Sequence, residues 1–337
     1  MVKIGKLSMA HVHARGYVQQ IMDHPEAQLV AIWDEIPERG EAAAREWNVP
    51  FVADLHEFLA FEDMQAVACD ATTKLHHEVI MHAIQAGKHV FTEKALTVST
   101  ADSDEIVQAV EESGIKFMIS LPSRCSPEIL FLKRVLDQGV IGDLTLMRAR
   151  IAHSAALDRW FSGHTAWFAE AEAAGGGALF DLGCHTVDVM RWLMGTPKSV
   201  IANMNSFTGV YPDVDDNAVA VVESEGKALG ILDVAWVHRA GPNPIELYGT
   251  KGFVGIRGVD GRPILMSEGL EYAGFRGDLT AKRLPDALPS PMRQWIAAIE
   301  RDEPMTITVR DGRNLTELLE GIYRSARERR MVDFPLS

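Results

Sequence analysis

The sequence predicts an α/β protein in two parts: a doubly wound parallel sheet, then an α+β domain on a large, mostly antiparallel open sheet. Three observations predict it. Short apolar strands alternate with helical patterns from Val2 to Ser120, the rhythm of βαβ units around a parallel sheet. From Lys198 onward strand follows strand, with Gly-rich turns and no intervening helix until the last part of the chain. Between the two halves, a long apolar stretch behind Gly175-Gly176-Gly177 reads as one buried helix.

The first strand is Val2–Leu7, followed by a helical pattern to about Met22. Gln28–Trp33 is the next strand, ended by Asp34, and Pro37 opens a helix rich in Ala and Glu that runs to Trp47. Ala66–Cys69 is a buried strand, and Leu75–Ala86 a helix stopped at Gly87. Val90–Thr92 is a strand, Ser99 and Asp102 begin a helix that Gly114 ends, and Lys116–Ser120 closes the series. Six strands are expected in this rhythm, five of them placed here, and they make a Rossmann-type, dinucleotide-binding domain over residues 1–121. Residues 122–337 then form the second domain. Pro127–Gln138 reads as a helix, Leu144–Ala152 as a long strand, and 153–174 as an irregular aromatic insert. Later strands are Val200–Asn205, Ala218–Ser224, Ala228–Val237, Ile245–Tyr248 and Gly252–Arg257. Leu284–Pro291 is a turn-forming connection, and helices near Met292–Arg301 and Leu315–Arg329 end the chain.

Composition narrows the function. The 337 residues, 47% hydrophobic, suffice for two domains. A net charge of −14 argues against nucleic acid and anionic membrane surfaces as general partners. Cys69, Cys125 and Cys184 are odd in number and widely spaced, so they read as reduced thiols and no metal is expected. No apolar run approaches a membrane span, and the N-terminus enters a strand directly, so a cytoplasmic protein is expected.

The stretch Leu179–Met194, closed by Gly195, is expected to be a helix of about four to five turns. Asp181, His185 and Asp188 stand at i, i+4 and i+7, on one stripe of it. Burying three ionisable groups is costly unless they are paired or used. The stripe therefore reads as the floor of an active site.

The turn after the first strand, where a pyrophosphate would rest on backbone N–H groups, reads Ser8-Met9-Ala10-His11-Val12-His13 in place of G-x-G-x-x-G. Asp34 is placed to accept hydrogen bonds from an adenosine ribose diol and to repel a 2′-phosphate. Arg39, inside the following helix, is not expected to reach that phosphate. NAD is the expected cofactor, with NADP disfavoured. Ala71–His77 and Thr92–Ala95 follow strands at the carboxyl edge of the sheet, where ligands bind, and Lys94 there can reach a nicotinamide or a substrate oxygen. The insert adds His153, Trp160, His164 and Trp167, aromatic faces and polar edges that suit a polyhydroxylated ligand.

These residues resemble the glucose–fructose oxidoreductase and inositol dehydrogenase (Gfo/Idh/MocA) family. The matching pieces are Gly87–Ala95, Arg124 with Pro127, Gly139–Gly142, Gly175–Asp188, Asp215-Asp216-Asn217 and Tyr323–Ala326, so the resemblance covers essentially the whole chain. It implies NAD or NADP in the N-terminal domain, and oxidation or reduction of a sugar, cyclitol or related polyol carbon. It maps the family's catalytic His onto His185 and its substrate-contacting Asp onto Asp181. Its Glu-Lys-Pro motif maps onto Glu93-Lys94-Ala95, with Lys94 orienting nicotinamide and substrate, and its loop His maps onto His77. Catalysis is thus expected from Lys94, Asp181 and His185. Cofactor contacts are expected from Ser8, Met9, Ala10, His11, Asp34, Thr72, His77, Glu93 and Lys94. Substrate contacts are expected from Arg124, His153, Trp160, His164 and Trp167. The resemblance also implies a homo-oligomer, dimer or tetramer, built through the open sheet.

A histidine suits a group that must both take and give a hydroxyl proton near neutral pH. Whether His185 or Lys94 moves that proton stays open at this level. The leading reading is a nicotinamide-dependent oxidoreductase. The alternative is a cofactor-binding sensor or partner of the same fold without turnover, favoured by the altered glycine turn and opposed by the intact Lys94, Asp181 and His185. A methyltransferase leaves Lys94 and the antiparallel domain without a role.

Overall fold

The computed structural model describes residues 1–61, 63–256, 263–267, 277–278 and 284–336. Strands β1 (Val2–Leu7), β2 (Ala27–Trp33), β3 (Ala66–Cys69), β4 (His89–Thr92) and β5 (Phe117–Ile119) form a parallel sheet in the order β2-β1-β3-β4-β5. Their near-continuous apolar runs are those of strands covered on both faces. The connecting helices are α1 (Ala14–Met22), α2 (Pro37–Trp47), α3 (Leu55–Leu59), α4 (His76–Gln85) and α5 (Thr100–Ser113).

The expected sixth strand is reduced to a single parallel bridge between Phe51 and Ile32, on the outer side of β2. It cannot grow, because Pro50 on one side lacks an N–H and Asp54 on the other already caps α3 by accepting from Glu57 N at 2.9 Å. With the bridge counted as a third strand, the order is that of a dinucleotide-binding sheet.

Helix α6 (Pro127–Asp137) leads into the second sheet, and α7 (Ala171–Ala174) is one turn in the insert. Helix α8 (Cys184–Met194) follows a π-helical turn over Leu179–Gly183, so the central stretch is not the uniform helix expected. The second sheet contains β6 (Leu144–Ala152), β7 (Pro197–Asn205), β8 (Asn217–Ser224), β9 (Leu229–Ala235), β10 (Ile245–Gly249), β11 (Gly252–Ile256), β12 (Pro263–Ser267), β13 (Gly277–Asp278) and β14 (Val332–Asp333). Their order is β13-β12-β11-β10-β6-β9-β8-β7-β14. Among these, only the β6–β9 pair is parallel. Arg257, the expected end of β11, lies outside the described residues. Along β8, buried Ala218, Ala220 and Val222 alternate with exposed Val219 and Val221, the pattern of a sheet with one covered face.

Two last helices, α9 (Pro291–Arg301) and α10 (Val309–Glu328), tie the halves together. Helix α9 returns to the first sheet, where Trp295 is fully buried with its ring 5.8 Å from Phe91. Helix α10 packs on α5, α8 and β7. It starts a turn and a half before the expected Leu315, because Thr308 and Asp311 form a reciprocal capping box. Among the described residues no helix is long and apolar enough to cross a membrane.

Candidate active site

The triple glycine has a separate steric reason at each position. Gly175 has φ +87°, a Cβ on Gly176 would lie 2.0 Å from the Tyr323 hydroxyl, and one on Gly177 would lie 2.0 Å from the Asp215 carbonyl oxygen. Asp215 accepts from Gly177 N at 2.9 Å, Leu179 N at 2.9 Å and the Tyr323 hydroxyl at 2.6 Å. Three distant sequence pieces thus meet at one carboxylate, which satisfies the free N–H groups where the central helix begins. The π turn that follows widens the backbone to i→i+5 spacing. There the Asp181 carbonyl accepts from Lys94 Nζ at 2.6 Å and Cys184 Sγ at 3.0 Å, and Asp181 Oδ1 lies 3.4 Å from Lys94 Nζ.

Lys94 leaves the carboxyl end of β4 behind Glu93. Glu93 is buried and accepts from the Tyr17 hydroxyl at 2.7 Å, His13 Nδ1 at 2.8 Å and Lys94 N at 2.7 Å. Burial alone would raise its pKa, but His11, His13 and Lys94 around it hold it well below the usual carboxylate range. Burial likewise opposes the charge of Lys94, yet Cys184, Asp181 and Glu93 outweigh it and hold the ammonium above the ordinary lysine value. His185 is half-buried on α8, and burial together with the Lys94 charge lowers it from 6.5 to about 4. At neutral pH the site therefore pairs a cationic lysine with a neutral imidazole. The first can hold an oxygen that gains negative charge, and the second can accept a proton.

This shift has a consequence for stability. The unfolded chain takes up the His185 proton near pH 6.5 and the folded chain only near 4, so stability present above 6.5 is lost as pH falls toward 4. His185→Gln is expected to flatten that part of the curve of urea midpoint against pH. An unchanged slope between pH 6.5 and 4 would count against the neutral assignment.

A cavity of about 400 Å³ opens beside these groups, with Val12, His13, Glu93, Ser120, Pro122 and His185 in its wall. His153 lies close enough to Asp181 and Lys94 to feel both charges, and burial lowers its pKa. Its ring is 4.7 Å from that of Trp160, whose side chain is exposed. His164 is exposed on the insert, and Thr72 is half-buried before the short turn Thr73–Leu75.

The glycine turn keeps the shape of a dinucleotide loop. Ser8 is fully buried at φ +67°, the left-handed conformation that a glycine ordinarily supplies. Within the turn Met9, Ala10, His11 and His13 donate their N–H groups to Asp34, Ser8, Asp70 and His11. Val12 N–H has no protein partner among the described residues and stands just ahead of α1. Such a group fits an anionic pyrophosphate.

Several sequence expectations need correction. Asp188 is buried and pairs with Arg124. Arg124 itself lies outside the cavity wall, its guanidinium donating to Asp188 at 2.6 Å and 3.0 Å and to Asp311 at 2.7 Å. His77 faces Glu105 at 2.8 Å on the helical surface. The buried neighbour His76 instead fixes the loop after Lys94, with its Nδ1 3.0 Å from the Ala95 carbonyl. Trp167 packs on the glycine turn and donates from Nε1 to the Ala10 carbonyl at 3.1 Å, with Phe168 stacked against it. Arg39 does reach Asp34, donating from Nε at 2.9 Å and Nη2 at 2.7 Å, because the first turn of α2 folds back over the end of β2. Sequence reasoning gave Tyr17 and Cys184 no place in the site, and His13 none beyond its position in the turn. His13 and Tyr17 are one helical turn apart, which was the available signal.

Residues 6–121 match the oxidoreductase family with an NAD-binding Rossmann fold, and residues 129–254 match the GFO/IDH/MocA C-terminal domain. The chain is similar to the scyllo-inositol 2-dehydrogenase (NAD(+)) of Bacillus subtilis strain 168, 27% identical over 74% of this chain and 71% of that one. It is also similar to that organism's scyllo-inositol 2-dehydrogenase (NADP(+)), 24% identical over 87% and 86% of the two chains. A levoglucosan dehydrogenase solved in complex with NADH and L-sorbose shares the fold, with a TM-score of 0.83 at 22% identity over 99% of each chain. By both of its domains, the chain belongs to the Gfo/Idh/MocA family of oxidoreductases.

Proposed function

We propose that this protein transfers a hydride between a nicotinamide dinucleotide and a carbinol carbon of a sugar, cyclitol or related polyol. The observation that carries the reading is the Lys94 ammonium, held at 2.6 Å by the Asp181 carbonyl at the carboxyl edge of a dinucleotide-type sheet, with His185 in the wall of the adjoining cavity. When bound, the dinucleotide supplies or accepts the hydride. Val12 N–H and the N-terminus of α1 would hold its pyrophosphate, and Asp34 its adenosine ribose. Lys94 holds the substrate oxygen, His185 takes or returns the hydroxyl proton, and Asp181 keeps Lys94 in place. His153 and Trp160 supply a polar edge and an aromatic face for hydroxyl-bearing rings. The names of the two inositol dehydrogenases support this substrate class. Absorbance at 340 nm with NAD across a panel of cyclitols and sugars tests it, and no turnover with any of them would overturn it.

NAD(H) is the proposed cofactor: Asp34 and Glu35 set two carboxylates against the one Arg39 guanidinium that pairs with both, which leaves net negative charge where a 2′-phosphate would lie. The four acceptor positions of Asp34 are filled by Met9 N, Ile36 N and two Arg39 bonds. A ribose diol therefore enters by displacing Arg39, and a 2′-phosphate would meet that guanidinium as well as Asp34. Arg39→Ala is expected to leave NADH binding equal or tighter. It should weaken NADPH by roughly tenfold or more, the scale of a lost charge-assisted contact. Parallel fluorescence titrations of the two reduced cofactors check this. Weaker NADH with unchanged NADPH would show that Arg39 serves the NAD site instead.

The cytoplasmic, oligomeric state is proposed alongside. Exposed Ile201, Val219, Val221 and Leu229 lie on the uncovered face of the second sheet, a surface suited to contact between copies.

A further inference from the structure

We propose that His13, held by Glu93, is a proton shuttle between the cavity and solvent. The inference rests on the reading of the site as one of hydride transfer. His13 fills the third position of the turn, where the dinucleotide fingerprint has glycine, and immediately precedes α1. Its Nδ1 lies 2.8 Å from Glu93 Oε1. An ionised carboxylate can only accept, so Nδ1 is the donor to Glu93 and Nε2 is the ring nitrogen left to face the cavity or water. Glu93 is itself fixed by the Tyr17 hydroxyl on Oε1 and by Lys94 N on Oε2, and Tyr17 continues to Ser120 Oγ at 2.6 Å. A buried carboxylate behind an imidazole is the arrangement that sets its tautomer and orientation for proton transfer.

Placement completes the argument. The His13 side chain is 51% exposed, yet it lines the same cavity as His185. One imidazole thus touches both the site and water. His185 has no carboxylate partner of its own among the described residues and stands beside the Lys94 ammonium, so a proton received there must move on. The charged and titratable groups facing His13 are Glu93, His11 with its ring at 4.7 Å, Tyr17 with its ring at 6.4 Å, and His185. For each carbinol oxidised, the hydride leaves carbon with nicotinamide as its acceptor. The hydroxyl proton passes to His185, then to His13, then to water, and reduction runs the reverse path.

The test compares wild type, His13→Gln and Glu93→Gln. Imidazole ¹⁵N shifts of the free protein are expected to show His13 as the Nδ1–H tautomer in wild type and a mixture in Glu93→Gln. With a polyol that wild type oxidises, His13→Gln should lose about tenfold or more in turnover, while NADH fluorescence titration gives an unchanged affinity. Added imidazole in the tens of millimolar should restore most of that loss, which a merely structural role would not allow. Full turnover in His13→Gln, a loss that imidazole does not rescue, or an unfixed tautomer in wild type each overturns the shuttle and leaves the enzyme reading standing. If wild type neither binds NADH nor oxidises any polyol of the panel, the enzyme reading fails and the shuttle fails with it.

Discussion

Replacing His185 by Ala is expected to lower kcat by about two to four orders of magnitude, the scale of a lost general acid–base. Lys94→Ala should lose a comparable factor, the scale of a lost group that stabilises charge on the reacting oxygen. NADH affinity should change little in either variant, because the turn, Val12 and Asp34 lie on other elements. The two losses should differ in kind. Lys94 is held as a cation by Asp181 and Glu93, so Lys94→Ala removes a fixed charge and its deficit should persist across the accessible pH range. His185 works as a neutral acceptor, so its contribution in wild type should fade as pH drops toward about 4. Steady-state kinetics on a substrate found by the panel, with NADH titration as the binding control, decides the matter. Near wild-type kcat in both variants would remove these residues from the reaction.

The parts of the site that were legible in the sequence are those whose position follows from one element alone. Lys94 stands just past the end of β4, and Asp34 just past β2, so an apolar run and its end were enough to place both. Asp181 and His185 followed from helical spacing across Leu179–Met194. Asp188, three residues past His185 on the same regular helix, is claimed by Arg124, a partner from another element that no spacing announces. Arg39 was misplaced for a related reason: its reach depends on how α2 leaves Asp34, and Asp34 fixes that exit by accepting from Ile36 N at 2.8 Å. The sixth strand that the βαβ rhythm calls for drew no residues in the sequence, because Pro50 and Asp54 pinch it to one bridge. Trp167 and Arg124 carried the right chemistry for a ligand, but long-range contacts to Ala10 and to Asp188 and Asp311 use it within the protein. Pattern reaches as far as the element; the partners across elements come from packing.

The largest stability effect is expected at Asp188. Arg124 is 5% exposed, and it joins three segments: the connection after β5, helix α8 through Asp188, and the N-terminus of α10 through Asp311. Its guanidinium also lies 5.2 Å from the Trp192 ring. Asp188→Ala leaves that cation buried with one carboxylate in place of two, and breaking a buried pair in this way costs roughly 3–5 kcal/mol. Against a typical stability of about 5–15 kcal/mol that is a large fraction. Asp311→Ala should cost less, since Asp311 is partly exposed, although it also dismantles the capping box with Thr308, worth about 1 kcal/mol. The double change Asp188→Leu with Arg124→Met removes both charges and should cost less than the sum of the single losses, because neither is left uncompensated. Urea midpoints of wild type, Asp188→Leu, Arg124→Met and the double variant measure that coupling. Additive losses, or an Asp188→Ala cost below about 1 kcal/mol, the scale of an exposed pair, would mean that water reaches Arg124 and that the three segments are held by apolar packing alone.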